Sequence, residues 1–414
     1  MKALVLCGGI PQIALIEDLK SRGIITALAD MNENVAGRAY ADEFYPVSVL
    51  DVEGIKNLAE EIKADFVITV CADQVLQVSA QVSEMLGLPC YIDFETAENV
   101  SKKSYMKRIF FENDIPTSKY IILENPERDK IANLTYPLIV KPVDSYSSRG
   151  VKKVLNDKEM ELAFEEAKKI SRTSTVVVEE FVEGEELSVD VYVENGKAHV
   201  LCMSNLDKIG GASTFVIHRT RYPADISGDI EAKIQDAAQK IAEGFGLQNT
   251  PMLIQLITDG NRISIVEFCA RTGGGDKFRL IEKATGFDVV GAVADLTLGI
   301  KPHYTKLNEK QKYIVNEFVY CKNGVLDRFE GFEELVQAGI ITEYFILKPQ
   351  GYEFSEIKSS GDRAAYFTIE TDSLSDLAEK HRLANEKIKA LSVDGIDLIR
   401  HDLIENYEKI GERV

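Results

Sequence analysis

Short apolar runs recur along the chain, each followed by a stretch whose apolar positions repeat at helical spacing. Ala3-Leu-Val-Leu-Cys7 is continuous, as a strand covered on both faces requires. Gly8-Gly9 then gives a tight turn into a helix over residues 12–21. Residues 24–29, 43–47 and 65–70 are further strand candidates, with helices near 52–63 and 73–86 between them. This alternation predicts a doubly wound parallel sheet over residues 1–97. A linker helix over 102–113, stopped by Asp114-Ile-Pro116, occupies the segment 98–116.

Residues 117–182 read as a small α+β unit, with strands at 119–123, 138–141 and 175–180 and a helix at 157–171. Residues 183–305 form a larger strand-rich unit with helices near 229–245 and 276–298. From 306 to 414 the pattern restarts as a C-terminal α+β domain. Its strands fall at 312–321, 341–348 and 363–370, and a helix over 374–391 closes it. The fold class is therefore multidomain α/β and α+β, with no internal repeat.

Composition narrows the functional classes. A chain of 414 residues is too long for one ordinary core, and 45% hydrophobic with 28% charged residues is a globular composition. The net charge of −19 argues against nucleic acid as a main partner, because a phosphate backbone attracts basic patches. It suits an enzyme that concentrates its few cations inside a cleft. No run approaches the ~18 apolar residues of a membrane span. The apolar start is too short before Gly8-Gly9 for a signal peptide. The six cysteines, at 7, 71, 90, 202, 269 and 321, show no metal-ligand spacing and predict reduced thiols in a cytoplasm. Cys7-Gly8-Gly9-Ile10-Pro11 lacks the third glycine of a dinucleotide fingerprint, and Pro11 removes an amide. The first domain thus reads as architectural, walling one substrate pocket, with Asp30, which resembles a ribose-binding acid, read instead as a solvated strand-end aspartate.

Chemistry concentrates in four later segments. Lys141 ends a buried apolar strand, before Asp144-Ser-Tyr-Ser-Ser-Arg-Gly150. That loop offers Ser147, Ser148 and backbone amides to phosphates; its bland reading is a polar hairpin loop. Lys103 opens a helix, where a lysine beside free amides makes an anion site. Lys102 is a rival for that role, and Lys107, one turn on, reads as solvated.

Val176-Val-Val-Glu-Glu-Phe-Val-Glu-Gly-Glu-Glu is a buried strand that breaks at Glu183-Gly184 and resumes. Such a hinge can present an adenine edge: the carbonyl and side chain of Glu179 or Glu180 accept, and the amide two residues on donates. Phe181 and Val182 would cover the ring, and Glu186 would accept from ribose. The alternative is an acidic hairpin turn. Gln255 and Glu267 lie on strands joined through Asp259-Gly260-Asn261, a strong hairpin signal that lets them face one site. Glu267 in so apolar a strand needs a counter-ion, either Mg²⁺ or Arg271. Arg271-Thr-Gly-Gly-Gly275 puts a guanidinium on a loop open to close ligand approach.

The ordered set of Lys103, Lys141 with its Ser-rich loop, Glu179-Glu180-Phe181-Val182, Glu186, Glu267 and Arg271 resembles the ATP-grasp superfamily. The resemblance spans essentially the whole chain and implies an N-terminal doubly wound domain, a lid, a nucleotide-binding core and a C-terminal domain. It implies that Lys103 and Lys141 contact phosphates, that residues 179–182 bind adenine and Glu186 ribose, and that Val266 joins the nucleotide contacts. Glu267 then holds Mg²⁺, with Gln255 as a weaker second ligand and Mn²⁺ as an alternate ion.

Arg271-Thr-Gly-Gly-Gly-Asp276 and Ala284-Thr-Gly-Phe-Asp288 look like the L-amino-acid ligase branch. There the arginine contacts a substrate carboxylate or acyl phosphate, and a His matching His218 lies close to substrate. Cys269 replaces a frequent Asn and reads as packing, since a thiol suits Mg²⁺ poorly. The expected activity is an ATP-dependent carboxylate–amine ligase proceeding through an acyl phosphate, with Arg271, Lys141 and His218 catalytic. Alternatives are a ligase resembling carbamoyl-phosphate or glycinamide-ribonucleotide synthetases, or an ATP-binding sensor without turnover. The expected partners are a small-molecule carboxylate and an amine, with no nucleic acid or membrane, and with a homodimer as an allowed assembly.

Overall fold

The continuous apolar run of β1 (Lys2–Leu6) is explained by cores on both its faces. Ala3 and Val5 pack with Leu15, Ile16 and Leu19 of the helix Ile10–Ser21, while Leu4 and Leu6 meet Ile55, Leu58 and Val78. With β2 (Ile25–Ala29), β3 (Glu43–Tyr45) and β4 (Phe66–Ile68) it forms a parallel sheet in the order β3-β2-β1-β4. Asp30 is not a solvated acid: its Oδ2 accepts from the Gly8 amide at 2.9 Å and fastens the turn after β1. The computed structural model describes residues 1–144, 150–209, 215–306 and 312–403.

The helix Lys103–Glu112 sinks Met106, Ile109 and Phe110 toward the main core. After it, β5 (Tyr120–Leu123), β6 (Leu138–Pro142), β7 (Lys152–Val154) and β8 (Val176–Glu180) make an antiparallel sheet ordered β5-β8-β6-β7. One face is covered by the helix Asp157–Ile170 through Met160, Ala163, Phe164 and Ala167. This is the lid.

The largest sheet begins with β9 (Glu185–Glu194), β10 (Lys197–Lys208), β11 (Ile217–Tyr222), β12 (Thr250–Thr258) and β13 (Ile263–Cys269). Period-2 alternation sorts its faces. Leu187, Val189, Val191, Ile254 and Leu256 pack against the helix Gly228–Gly244, and Ser188, Gln255 and Glu267 come together on the other side. Downstream come β14 (Tyr313–Val319), β15 (Gly324–Glu330), β16 (Glu343–Ile346), β17 (Glu353–Phe354), β18 (Ala365–Thr371) and β19 (Lys389–Ser392). The large sheet runs on across residue 306, in the order β13-β12-β9-β10-β11-β14-β18-β16. Of these downstream strands, β17, β15 and β19 form a separate sheet.

Two expected helices end early. The one near 276–298 is two helices, Lys277–Thr285 and Val289–Thr297. Gly286 takes a left-handed φ of 70° between them, and the Asp288 side chain caps the second by accepting from the Val290 and Gly291 amides. The helix expected to reach 391 stops at Lys387, because the following residues pair with β15 as β19.

Candidate active site

The lid sheet and the polar face of the large sheet enclose a cavity of about 680 Å³, a size suited to a small-molecule ligand. Its walls bring together Lys103, Lys141, Glu179, Glu180, Phe181, Val182, Glu186, His218, Gln255, Val266 and Glu267. Ser147 and Ser148 lie outside the described residues. Arg271 is not on the cavity wall.

Glu179 is the electrostatic centre of the lid side. Lys141 Nζ donates to its Oε1, Lys107 Nζ lies 2.9 Å from its Oε2, and Ser118 Oγ donates to the same oxygen at 2.9 Å. Burial pushes the Glu179 carboxyl up, but the two ammonium groups more than reverse this and hold it well below the ordinary carboxylate range. Lys107 is thus not a solvated lysine. It is 2% exposed and also donates to Thr117 Oγ1 at 2.6 Å. The available signal was its place, three residues before buried Phe110 and one turn after Lys103. Lys102 faces outward and pairs with Glu98 at 2.8 Å, so Lys103 is the lysine at the cavity.

The hinge after β8 differs in detail from the expected adenine contacts. The Glu179 side chain is committed to the lysines, and Glu180 Oε1 accepts from the Thr135 amide at 3.0 Å. The Phe181 amide donates to Pro137 O at 2.9 Å, whereas the Val182 amide meets no acceptor among the described residues. Of the two registers open from sequence, the one with the Glu180 carbonyl and Val182 amide therefore keeps its donor. Lys153 Nζ sits 3.6 Å from the Phe181 ring centroid. Gly184 shapes the same hinge: its φ is 152°, and a Cβ there would meet Thr258 O at 2.2 Å.

Below the hinge, Gln255 and Glu267 are direct cross-strand partners. Lys103 Nζ lies 3.5 Å from Glu267 Oε2. No group of three or more His, Cys, Asp or Glu among the described residues could hold a metal by itself. One carboxylate with one neutral amide oxygen fits an ion such as Mg²⁺ that completes its shell with phosphate oxygens and water. Glu186, expected at the ribose, pairs with Lys208.

Arg271 forms a two-pronged pair with Asp73, the first residue of the helix Asp73–Leu86 in the N-terminal domain. Its Nε–Oδ1 distance is 2.6 Å. Burial pushes the Asp73 carboxyl up, yet Arg271, Cys269 and Lys103 bring it below its usual value. The Cys269 thiol is raised well above its ordinary range by burial and by Asp73, so it remains a thiol, unsuited to Mg²⁺. Asp73 is a residue that sequence reading did not single out, because nothing local ties it to a strand 198 positions away.

On β11, the cavity-lining His218 directs Nδ1 toward Glu317 of β14 at 3.4 Å. Arg219 Nε donates to the same carboxylate at 2.6 Å.

This fold and cleft have known counterparts. Residues 134–278 match the ATP-grasp domain. A curated relative, the formate-dependent phosphoribosylglycinamide formyltransferase of Sulfurisphaera tokodaii, is 25% identical over 285 residues, 65% of this chain and 70% of the relative. The solved L-amino acid ligase from Bacillus licheniformis superposes with a TM-score of 0.80 at 18% identity, covering 94% of this chain and 98% of its own. The biotin carboxylase domain of the Hydrogenobacter thermophilus 2-oxoglutarate carboxylase, solved with MgADP and bicarbonate, gives 0.77 at 17% identity, covering 100% and 99%. Residues 134–278 thus match an ATP-grasp domain, and the chain as a whole shares the fold of these solved structures, with a parallel N-terminal sheet, a small antiparallel sheet and a large antiparallel sheet. No helix among its described residues is long and apolar enough to cross a membrane.

Proposed function

We propose that this protein is an ADP-forming ligase that activates a small-molecule carboxylate with ATP and joins it to an amine, with an amino acid as one substrate. The observation that carries this is the cavity itself. Buried Lys141, half-buried Lys103, a strand hinge whose Val182 amide meets no acceptor among the described residues and a Gln–Glu cross-strand pair converge on one 680 Å³ space between lid and core.

In this reading the Glu180 carbonyl and Val182 amide take the adenine edge, and Phe181 and Val266 flank the ring. Glu186 exchanges Lys208 for the ribose hydroxyls. Lys141 and Lys103 hold phosphate oxygens, each starting from a carboxylate partner, Glu179 and Glu267. Glu267 and Gln255 would hold Mg²⁺, which neutralises phosphate charge when bound. Arg271, on the loop after β13, stands off the cavity wall in its pair with Asp73; in this reading it exchanges that partner for the substrate carboxylate and steadies the acyl phosphate against charge repulsion. The lid excludes water, which would otherwise hydrolyse that intermediate. An amine then attacks the acyl carbon, and an amide, ADP and phosphate are the products.

The test is phosphate release from Mg-ATP with pooled L-amino acids, together with detection of an amide product. ADP formation without an amide, or no ADP with any acid–amine pair, would sink the reading. A second reading is favoured by the relative matched over 65% of this chain, whose name specifies formate-dependent formyl transfer to phosphoribosylglycinamide. Turnover that depends on formate or bicarbonate instead of amino acids would select it. A third outcome, an ATP-induced rise in melting temperature with no ADP, would mark a nucleotide sensor.

A further inference from the structure

A buried charge cluster joins the cavity wall to the C-terminal region. Glu317, on β14, is fully buried, and its carboxylate has three partners. Arg219 Nε donates to Oε2 at 2.6 Å, His381 Nε2 to the same oxygen at 2.8 Å, and His218 Nδ1 lies 3.4 Å from Oε1. His381 sits on the helix Leu374–Lys387, where Asn385 Nδ2 reaches its Nδ1 at 3.3 Å. The same Nδ2 lies 3.2 Å from His381 Nε2, and because the Glu317 carboxylate can only accept, His381 turns an Nε2–H toward it.

The backbone explains how two adjacent residues of β11 both reach one carboxylate. Asp207 pairs with Arg219 and Lys208 with Ile217, so His218 is the extra residue of a β-bulge. A bulge re-aims a side chain that strict alternation would have sent to the opposite face. The cost of burying so many polar groups indicates a tightly specified arrangement. Of its members, His218 and Arg219 line the cavity.

We infer that Glu317 is a positioning residue for His218, fixing its Nδ1–H tautomer so that Nε2 serves as general base for the attacking amine. This deepens the ligase reading above and rests on it. As the amine nitrogen attacks the acyl carbon, its lone pair forms the C–N bond. The C–O bond to phosphate breaks, and phosphate leaves with that electron pair. The surplus proton of the nitrogen passes to His218 Nε2, and the imidazolium so formed faces Glu317.

The charged groups around His218 fit this role. Asp207 of β10 lies 3.5 Å from Arg219 and 3.0 Å from Arg221, Lys208 pairs with Glu186, and Arg400 with Asp402 line the same cavity. Burial pushes the Glu317 carboxyl up, and Arg219 with the two histidines brings it far below the usual range, so it stays an anion. His381 is pushed down by burial and stays neutral.

The experiment supplies Mg-ATP, pooled L-amino acids and one of two nucleophiles. Glycinamide must lose a proton as it attacks, whereas hydroxylamine, a weak base and strong nucleophile, traps acyl phosphates with little need of a base. In Glu317→Gln and in His218→Asn, amide formation with glycinamide falls on the order of 10²-fold, and hydroxamate formation falls at least about tenfold less. Equal loss of both products would mean a structural role and overturn the inference. If Glu317→Gln does not fold, His218→Asn carries the nucleophile comparison, and amide formation at the native rate overturns the assignment. If the native protein forms neither amide nor hydroxamate, the ligase reading itself has failed.

Discussion

Lys107 and Lys141 reach the two oxygens of one buried carboxylate, and this arrangement decides what each residue contributes. Two ammonium groups stacked behind a phosphate site would repel each other, and Glu179 between them removes that cost. Breaking such a buried set leaves uncompensated charge, so Glu179→Gln is expected to lose about 3–5 kcal/mol in chemical denaturation. The pH dependence has a definite sign. The folded carboxyl titrates below its unfolded value, so its contribution is complete above the unfolded pKa and fades as pH falls through the folded one. In Glu179→Gln that acid-side loss disappears. Lysine substitutions separate binding from surface: Lys141→Ala should lower ATP turnover by about 10²-fold or more. Lys102→Ala, which removes an exposed side chain paired with Glu98, should leave it within about twofold. Turnover at saturating and limiting ATP checks both.

At the scale of elements, the hinge between β8 and β9 and the hairpin of β12 and β13 are built against each other. Gly184 is where they touch, with no room for a Cβ beside Thr258 O. Gly184→Ala is expected to cost about 1–3 kcal/mol of stability, since both the φ and the close approach must change. It should also weaken ATP binding, because Phe181 and Val182 shift with the hinge; calorimetric titration reads this directly. The hairpin register was legible from Asp259-Gly260 and the flanking alternation, which put Gln255 opposite Glu267 as expected. The bulge at His218 was not legible. It depends on which strands flank β11, and β14 arrives from 98 positions away.

At the scale of the whole molecule, the loop after β13 ties three regions together. Arg271 clamps Asp73 of the N-terminal domain, and Asp276 accepts from Tyr366 Oη at 3.2 Å and Thr368 Oγ1 at 3.4 Å, both on β18. Burial first, and then nearby Glu343, pushes the Asp276 carboxyl up to about 7. A folded pKa above the unfolded one means stability is fully present below the unfolded value and lost as pH rises through about 7. Asp276→Asn should therefore abolish that loss. Relative to the native protein, its melting temperature should gain at pH 8 and not at pH 4, as thermal scans across that range would show.

What the sequence determined by itself was local: the period of each element, the hinge string, the hairpin and the order of the chemistry-bearing segments. Such features are set by neighbours a few residues apart, so they survive without knowledge of the fold. Tertiary structure alone decided that Lys107 is buried, that Asp73 holds Arg271, that the large sheet continues through β14 and β18, and that Glu317 faces His218. Each of these joins groups far apart in the chain. Charge burial depends on the partner that arrives, and the sequence around a lysine or a glutamate does not name it.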